Sequence, residues 1–174
     1  IGEYDLSSMR MIQSGGQRLQ PEIRLRAREL IPSVFVQENF GMSEGTLMFV
    51  RIDDPEDVQL ETVGRPICDD DEVRLIDEDG VEVRFGEVGE LCVRGPYTLR
   101  GYYGAAEHNA RVFTADGVYC SGDLLRQHPS GNYMVEGRIK DVIKTGGEWI
   151  SSLALENLIS QHAAVNAVAV VGIP

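Results

Sequence analysis

Two glycine-bounded loops, each placed directly after a predicted strand, constrain the fold most strongly. "RMIQS" (10–14) is typical of a short buried strand and runs into Gly15-Gly16, while "SVFVQENF" (33–40) is typical of a second strand and runs into "GMSEG". A helix is predicted between them, over "QPEIRLRAREL" (20–30). This order of elements predicts a parallel α/β layer, in which ligands lie at the carboxyl ends of the strands. Both glycine loops fall at those ends.

The predicted helix carries its own start and stop signals. Pro21 lies in the first turn, where a missing N–H group costs little, and Pro32 ends the helix. Ile23, Ala27 and Leu30 recur at helical spacing. We therefore expect these three residues to face the core and the arginines of the helix to face water.

From about residue 58 to residue 136 the pattern changes to short strands separated by turns. "VRLIDEDGVEV" predicts a hairpin with Asp79-Gly80 at its turn, and "QHPSGNYMVEG" predicts another hairpin. Such a succession predicts a small antiparallel sheet or an open barrel.

The last stretch returns to an α/β pattern. "DVIKTGGEWIS" predicts a strand and a loop, Ser151 or Ser152 is placed to cap a helix that runs to about 161, and "VNAVAVVGIP" predicts a strand. Because one helix and two strands are too few to bury a stable core alone, we expect the chain to end inside a second domain. A first residue that is Ile1 rather than Met also indicates a fragment or a processed chain.

Composition restricts the classes of partner. The formal net charge of −12 would repel a polyanion, which argues against nucleic acid, although backbone N–H groups and a few cations can still bind a small anion.

No apolar run reaches the roughly 18 residues of a membrane span, and no signal peptide opens the chain. Cys68, Cys92 and Cys120 form no CxxC motif, which favours buried, reduced thiols and a cytoplasmic protein.

Three short motifs carry side chains suited to a nucleotide. In "FGMSEG" (40–45), the Ser43 hydroxyl can donate to a phosphate oxygen, and the Glu44 carboxylate is a hard oxygen ligand suited to Mg²⁺. In "YCSGDL" (119–124), Asp123 can accept from both hydroxyls of a ribose. In "GRIKD" (137–141), Arg138 offers several donors in one plane. Each motif also has a structural interpretation: a solvated turn, a common Gly-Asp turn and a surface salt bridge, respectively.

Other catalytic signatures do not occur in the sequence. "KTGGE" (144–148) is similar to a phosphate loop, but the chain has no GxxxxGK[ST], GxGxxG, GxSxG or paired-cysteine zinc motif. A Walker-type NTPase is therefore not indicated. His108, His128 and His162 are scattered, and we expect them at the surface.

Taken in order, the motifs are far more specific than any one of them. "SGGQRL", "NFGMSEG", "VGRPI", "GELCVRGPYTLRGYY", "FTADGVYCSGDLLR", "GRIKDVIKTGGEWIS" and "LENLI" resemble the adenylate-forming superfamily of acyl- and aryl-CoA synthetases, adenylation domains and luciferases. "FGMSEG", "RIDDPED" and "RGPYTLRGYYGAAEHNARVFTADGVY" look closest to the stand-alone aryl-acid-AMP ligases of siderophore pathways. "GGEWISS" departs from these and looks more like the acyl-CoA ligases for fatty and other acids.

This resemblance implies a reaction and its partners. A small carboxylic acid, such as 2,3-dihydroxybenzoate or salicylate, would attack the α-phosphate of ATP to give an acyl-adenylate and pyrophosphate. The thiol of coenzyme A or of a phosphopantetheinyl carrier protein would then displace AMP. The reaction would need Mg²⁺ and charge stabilisation rather than a protein nucleophile.

The resemblance also implies roles for individual positions. Ser43, Glu44 and Lys144 would have catalytic roles, with Glu44 as the Mg²⁺ ligand; Lys140 would be the hinge, and Gly146 and Gly147 would enter the site for thioester formation. The implied nucleotide-binding residues are Gly15, Gly16, Gln17, Asn39, Phe40, Gly41, Met42, Ser43, Asp123 and Arg138. The implied walls of the acid pocket are Ser14, Gly15, Asn39 and Leu47. Leu47 and Met48 are bulky enough to close a short aryl pocket, whereas Asn39 is polar where an apolar residue is expected.

The fold class implied is α/β plus β. The chain would be the C-terminal part of a large adenylate-forming N-domain, with a small antiparallel barrel-like subdomain, followed by the truncated start of an α+β domain. The expected boundaries are 1–57 for the α/β part, 58–138 for the β part, 139–141 for the hinge and 142–174 for the small domain. The family's phosphate loop would lie before residue 1 and its adenylation lysine after Pro174, so we expect the 174-residue chain alone to be inactive.

Two alternatives stay open at this point. Within the same reaction class, an aliphatic or fatty acid could replace the aryl acid, as "EWIS" (148–151) suggests. From another class, the chain could be a non-catalytic nucleotide-binding or interaction module. The presence of Glu44, Asp123 and Arg138 together argues against that second alternative.

Overall fold

The computed structural model describes residues 4–145, 148–162 and 164–173. These residues divide into two compact units. The first unit contains the chain up to Glu72, together with Arg94–Leu99 and His128–Met134. The second contains Val73–Val93, Arg100–Gln127 and the chain from Val135 onward.

The described elements follow one another in a mixed α and β order. In the first part of the chain they are β1 (Met11–Ser14), α1 (Pro21–Leu30), β2 (Phe35–Gly41), β3 (Leu47–Phe49), α2 (Glu56–Glu61) and β4 (Arg65–Pro66). In the rest they are β5 (Glu72–Ile76), β6 (Val88–Arg94), α3 (Ala106–Val112), β7 (Tyr119–Gln127), β8 (Tyr133–Arg138), a 3₁₀ turn (Ile139–Asp141), β9 (Val142–Thr145), β10 (Glu148–Ser151) and α4 (Ser152–Ser160).

A four-stranded sheet in the order β1-β2-β3-β4 organises the first unit. Strands β1 and β2 are parallel and α1 connects them, as the sequence predicts. The sheet is mixed rather than wholly parallel, because β2 turns back through the "GMSEG" loop into the antiparallel strand β3. Its core contains Ile31, Val34 and Val36.

Helix α1 is where predicted and packs Ala27 against the core as expected, but the rest of its buried face differs from the prediction. Ile23 is 54% exposed and Leu30 is 46% exposed, whereas Arg24 is only 1% exposed. The expectation that the arginines face water is therefore wrong for Arg24. The reason is a buried partner on the next strand: the Arg24 Nη2 atom lies 3.2 Å from Oε2 of Glu38.

A second four-stranded sheet, in the order β5-β6-β7-β8, carries most of the β part. Strands β6 and β7 are antiparallel, with an irregularity between Glu90 and Cys92. Both predicted hairpin turns are present: Gly80 N donates to Asp77 O, and Gly131 N donates to His128 O. The small antiparallel sheet is therefore as the sequence predicts.

The cysteines differ from the expectation of reduced thiols. Cys92 and Cys120 are direct partners in the antiparallel register of β6 and β7, and they form a disulfide. Cross-strand partners bring side chains of the same face close together, which the linear sequence does not reveal. Cys68 is a free, half-buried cysteine.

The end of the chain confirms one prediction and corrects another. Ser151 caps α4 by accepting a hydrogen bond from Ala154 N, as one of the two predicted caps. The predicted strand at 165–174 does not form over the described residues 164–173. A strand needs a neighbour for its backbone groups, and here Val170 N donates to the side-chain Oε1 of Glu156 instead. No helix in the described part of the chain has the length and apolar character of a membrane span.

Candidate functional site

A cavity of about 390 Å³ opens in the first unit at the carboxyl end of β2. Its lining residues come from β2, from the loop that follows it, from β3 and, much later in the chain, from Tyr97. The lining residues are Asn39, Gly41, Met42, Ser43, Thr46, Leu47 and Tyr97. All except Thr46 and Tyr97 are residues that the sequence predicted for nucleotide or acid binding.

The loop between β2 and β3 owes its shape to a tight backbone path. Gly45 N donates to Met42 O at 3.2 Å, and Met42 N donates to Thr46 O at 3.4 Å. Gly45 has φ 129°, and Thr46 has φ 69° although it is β-branched. Positive φ at a β-branched residue costs on the order of 1–3 kcal/mol and is concentrated at functional loops. The loop is thus held in one conformation by its surroundings.

The two predicted phosphate-side residues lie on this loop with different exposure. Ser43 is exposed and lines the cavity, so its hydroxyl is accessible to a ligand. Glu44 is half-buried, and its backbone carbonyl accepts from Leu99 N at 2.7 Å. A hydroxyl beside a carboxylate is a donor set that suits a phosphate and a hard divalent cation. The residues present therefore fit Mg²⁺.

The Gly15-Gly16 loop lies against Asn39, which lines the cavity in the first unit. A Cβ atom on Gly15 would lie 2.0 Å from Oδ1 of Asn39, so only glycine allows the two segments to approach this closely. Gly16 has φ 82°, which favours glycine for a conformational reason. Gln17 is exposed and Ser14 is half-buried, at the register position opposite Glu38.

Two other predicted positions, Phe40 and Met48, do not line the cavity. Phe40 is half-buried and pairs in register with Met48. Met48 is fully buried, and it is Leu47 that lines the cavity, because successive residues of a strand point to opposite faces. Of these two bulky residues, only Leu47 lines the cavity.

Arg24 and Glu38 form a buried ion pair close to the Gly15-Gly16 loop, and the sequence did not predict it. Glu38 Oε1 accepts from Leu19 N at 3.1 Å, so its carboxylate joins the end of β2 to the chain that follows the Gly15-Gly16 loop. Burial raises the pKa of Glu38, and the Arg24 charge opposes this rise. A charged residue inside the predicted strand "SVFVQENF" was the available signal, because a buried carboxylate requires a partner.

In the second unit, Asp123 and Arg138 form an ion pair. Asp123 is 6% exposed on β7, and its Oδ1 accepts from Arg138 Nε at 2.7 Å. Its own N–H donates to Ser121 Oγ at 3.0 Å. Burial raises the pKa of Asp123, while the charges of Arg138 and Lys140 act in the opposite direction.

Glu90 is a neighbour of Asp123 that the sequence did not single out. Its Oε1 accepts from Gly122 N at 2.9 Å, and Gly122 is the residue before Asp123 on β7. Burial raises the pKa of Glu90, and the Asp123 charge raises it further. Ligand atoms of Glu90, Cys92 and Cys120 lie within 4.8 Å of one another, but the disulfide leaves no thiolate for a metal ion.

The predicted hinge and thioester-loop positions follow β8. Lys140 is exposed in the 3₁₀ turn Ile139–Asp141, which connects β8 to β9. The backbone of Lys144 pairs with Trp149 in the β9–β10 ladder, while its side chain lies outside what the structure describes. Gly146 and Gly147 lie outside the described residues.

Comparison with known proteins decides the family. A family model described as AMP-binding enzyme matches residues 2–103 of the chain. The chain belongs to the AMP-binding enzyme family. This agrees with the resemblance found in its motifs, and the α/β and β parts of this AMP-binding enzyme have the architecture of adenylate-forming proteins of known structure.

Two curated relatives are salicylate-activating proteins by name. The chain is 52% identical over 164 residues to a salicylyl-CoA synthase / salicylate adenylyltransferase from a Streptomyces species, covering 94% of the chain and 30% of the relative. It is 49% identical over 168 residues to a salicyl-AMP ligase / salicyl-S-ArCP synthetase from Mycobacterium tuberculosis, covering 96% of the chain and 29% of the relative. The chain thus spans about 30% of the length of these relatives.

A solved structure also resembles this AMP-binding enzyme. The anthranilate CoA ligase AuaEII, determined in complex with anthranoyl-AMP, matches with a TM-score of 0.85 and 28% identity. The match covers 99% of the chain and 32% of that structure. The chain therefore shares the fold of about a third of a solved structure that holds anthranoyl-AMP.

Proposed function

We propose that this chain is part of an ATP-dependent ligase that adenylates an aryl acid and transfers the acyl group to a thiol. The observation that supports it best is the cavity at the end of β2, because the loop between β2 and β3 provides its exposed Ser43 hydroxyl, β2 provides the Asn39 amide and β3 provides the Leu47 wall. Relatives named for salicylate and a fold neighbour that holds anthranoyl-AMP support an aryl acid.

The first unit would bind the acid and the phosphate side of ATP. Asn39 would form the polar wall against Gly15, and Leu47 would pack on the ring of the acid. Ser43 would donate to a phosphate oxygen, and the segment Phe40–Met42 would lie along the adenine. Glu44 would hold Mg²⁺, which when bound neutralises charge on the phosphates.

Asp123 would bind the ribose. The ionised Asp123 carboxylate can accept from two hydroxyls, and Arg138 both favours the ionised form and orients it through the 2.7 Å hydrogen bond. The attack of the acid carboxylate on the α-phosphate needs no protein nucleophile, so these residues contribute orientation and charge stabilisation.

The remaining parts of the proposal concern the second half-reaction. Lys140, in the 3₁₀ turn Ile139–Asp141, would be the pivot between a domain ending at 138 and a small domain beginning at 142. Lys144, Gly146 and Gly147 would serve the thioester step with coenzyme A or a phosphopantetheinyl carrier protein as acceptor.

ATP–pyrophosphate exchange by the complete gene product tests this proposal. We expect salicylate or 2,3-dihydroxybenzoate to support exchange at least tenfold better than octanoate. A reversed order would replace the aryl acid by an aliphatic acid, which the segment "EWIS" (148–151) favours. No exchange with any acid, together with ATP binding, would indicate the non-catalytic alternative.

A carboxylate swap tests the metal role of Glu44. Glu44→Ala should raise the Mg²⁺ concentration needed for half-maximal exchange. In Glu44→Asp, which keeps a carboxylate, this concentration should lie between those of the wild type and Glu44→Ala. Glu22→Ala is the matched control, since Glu22 is exposed on α1 of the same unit. An unchanged Mg²⁺ requirement in Glu44→Ala would remove this role.

A further inference from the structure

The segment Arg94–Leu99, which the sequence assigned no role, lies against the "GMSEG" loop. Leu99 N donates to the backbone carbonyl of Glu44 at 2.7 Å. A Cβ atom on Gly45 would lie 2.6 Å from Cα of Thr98, so the two backbones are in direct contact. The segment therefore supports the loop over consecutive positions rather than at a single atom.

Tyr97 extends this contact to the first residue of β3. Its phenol oxygen accepts from Leu47 N at 3.3 Å, and its O–H donates to Oδ2 of Asp71. Asp71 in turn approaches closely because residue 95 is glycine: a Cβ there would lie 2.1 Å from Oδ1 of Asp71. The phenol is thus held between a carboxylate and a backbone amide.

This arrangement requires Tyr97 to keep its proton. Burial and the hydrogen bond to Asp71 raise the pKa of Tyr97 to about 12. The phenol is therefore neutral throughout the physiological range, with its proton directed to Asp71 and a lone pair directed to Leu47 N. Phenylalanine would fill the same space but offers neither a donor nor an acceptor.

We propose that Tyr97 is a positioning and specificity-determining residue for the acid, with Asp71 acting through it. The phenol fixes the backbone of Leu47, whose side chain shares the wall of the cavity with Tyr97 itself. This inference rests on the proposed function for the identity of the ligand, but the contact from Tyr97 to Leu47 is independent of it.

Site-resolved hydrogen exchange of the complete gene product tests the contact without any substrate. In Tyr97→Phe, the Leu47 amide loses its acceptor and should exchange at least fivefold faster than in the wild type. Tyr102→Phe is the matched control, because its hydroxyl lies 3.2 Å from the Tyr119 hydroxyl in the second unit. An unchanged exchange rate at Leu47 in Tyr97→Phe would overturn the proposal.

Steady-state ATP–pyrophosphate exchange then tests the role. Loss of one hydrogen bond at the cavity wall should raise the KM for the best acid about fivefold to tenfold in Tyr97→Phe, with the KM for ATP changed less than twofold. Equal changes in both KM values, or none, would overturn the positioning role. If the wild type activates no acid, the proposed function fails, and the Leu47 exchange rate alone decides whether the contact exists.

Variants of Asp71 test whether Asp71 affects the acid KM through Tyr97 or independently of it. Asp71→Ala should raise the acid KM as Tyr97→Phe does, while Asp71→Asn, which keeps an acceptor oxygen, should restore part of the loss. In the Tyr97→Phe background, Asp71→Ala should have no further effect on the acid KM. Additive effects would show that Asp71 acts on its own and would overturn that part of the inference.

Discussion

The guanidinium of Arg24 and the carboxylate of Glu38 form an ion pair in which both side chains are almost fully buried, 3.2 Å apart. Arg24 also donates to the carbonyls of Gln59 and Leu60 at the end of α2. The Arg24 side chain thereby joins α1, β2 and α2, and its partner Glu38 directly precedes Asn39, which lines the cavity.

Breaking this ion pair should destabilise the protein strongly. Arg24→Met would leave the Glu38 carboxylate and two carbonyls without their partner, and we expect the free energy of unfolding to fall by about 3–5 kcal/mol. Urea denaturation measures this change. Arg26→Met is the control, because Arg26 and Glu29 form an exposed pair that contributes no more than about 1 kcal/mol. A small effect at Arg24 would mean that the pair does not organise the first unit.

Gly15→Ala should damage the site by steric displacement of Asn39. The added Cβ would lie 2.0 Å from Asn39 Oδ1, so the amide must move away from the cavity. Overpacking of about 1–3 kcal/mol predicts a roughly 5- to 150-fold rise in the acid KM in ATP–pyrophosphate exchange. Gly172→Ala has room for its Cβ, at 3.5 Å from the Ile143 side chain, and should leave the acid KM unchanged. Equal KM values for both variants would contradict the steric explanation.

The pH dependence of ATP binding should report on Asp123. Burial raises the pKa of this carboxyl, and Arg138 is the largest influence that lowers it. The ionised form accepts from the ribose, so affinity for ATP should be lost as the pH falls through the pKa of the folded protein. Arg138→Gln removes the opposing charge, and the acid limb of the profile of log KM for ATP against pH should therefore move to higher pH.

A control separates this shift from a general loss of charge. Arg126→Gln removes a cation of the same unit that pairs with Glu136 instead, at 2.8 Å. The acid limb should stay in place in that variant. An acid limb that does not move in Arg138→Gln would show that Asp123 ionisation does not control ATP binding.

The Cys92–Cys120 disulfide should be detectable by peptide mapping. Digestion under non-reducing conditions should yield a crosslinked pair of β6 and β7 peptides, with Cys68 alkylated as a free thiol. Reduction should lower the free energy of unfolding by about 3–4 kcal/mol, the loop-entropy value for this separation of 28 residues. Full alkylation of Cys92 and Cys120 without a reductant would contradict the disulfide.

Local signals were sufficient for much of the fold. Glycines after apolar runs marked both loops of the first unit, the Asp79-Gly80 and Gly131 turns marked the hairpins, and Ser151 marked the start of α4. In each case the deciding residues are within a few positions of the element that they specify. The strand expected after residue 164 failed because apolar residues alone do not provide a neighbouring strand to accept the backbone hydrogen bonds.

The sequence by itself determined the order of motifs, the family they indicate and the residue types available for a nucleotide, because these depend on chemistry that is local in the chain. Tertiary structure alone decided that α1 buries Arg24, that Cys92 and Cys120 are partners, and that the Tyr97 hydroxyl lies between Leu47 N and the Asp71 carboxylate. Each of those decisions joins groups separated by 14 to 50 residues. Burial and hydrogen bonding act only on groups that the fold has already brought together. Periodicity in the chain therefore does not predict these contacts between distant residues.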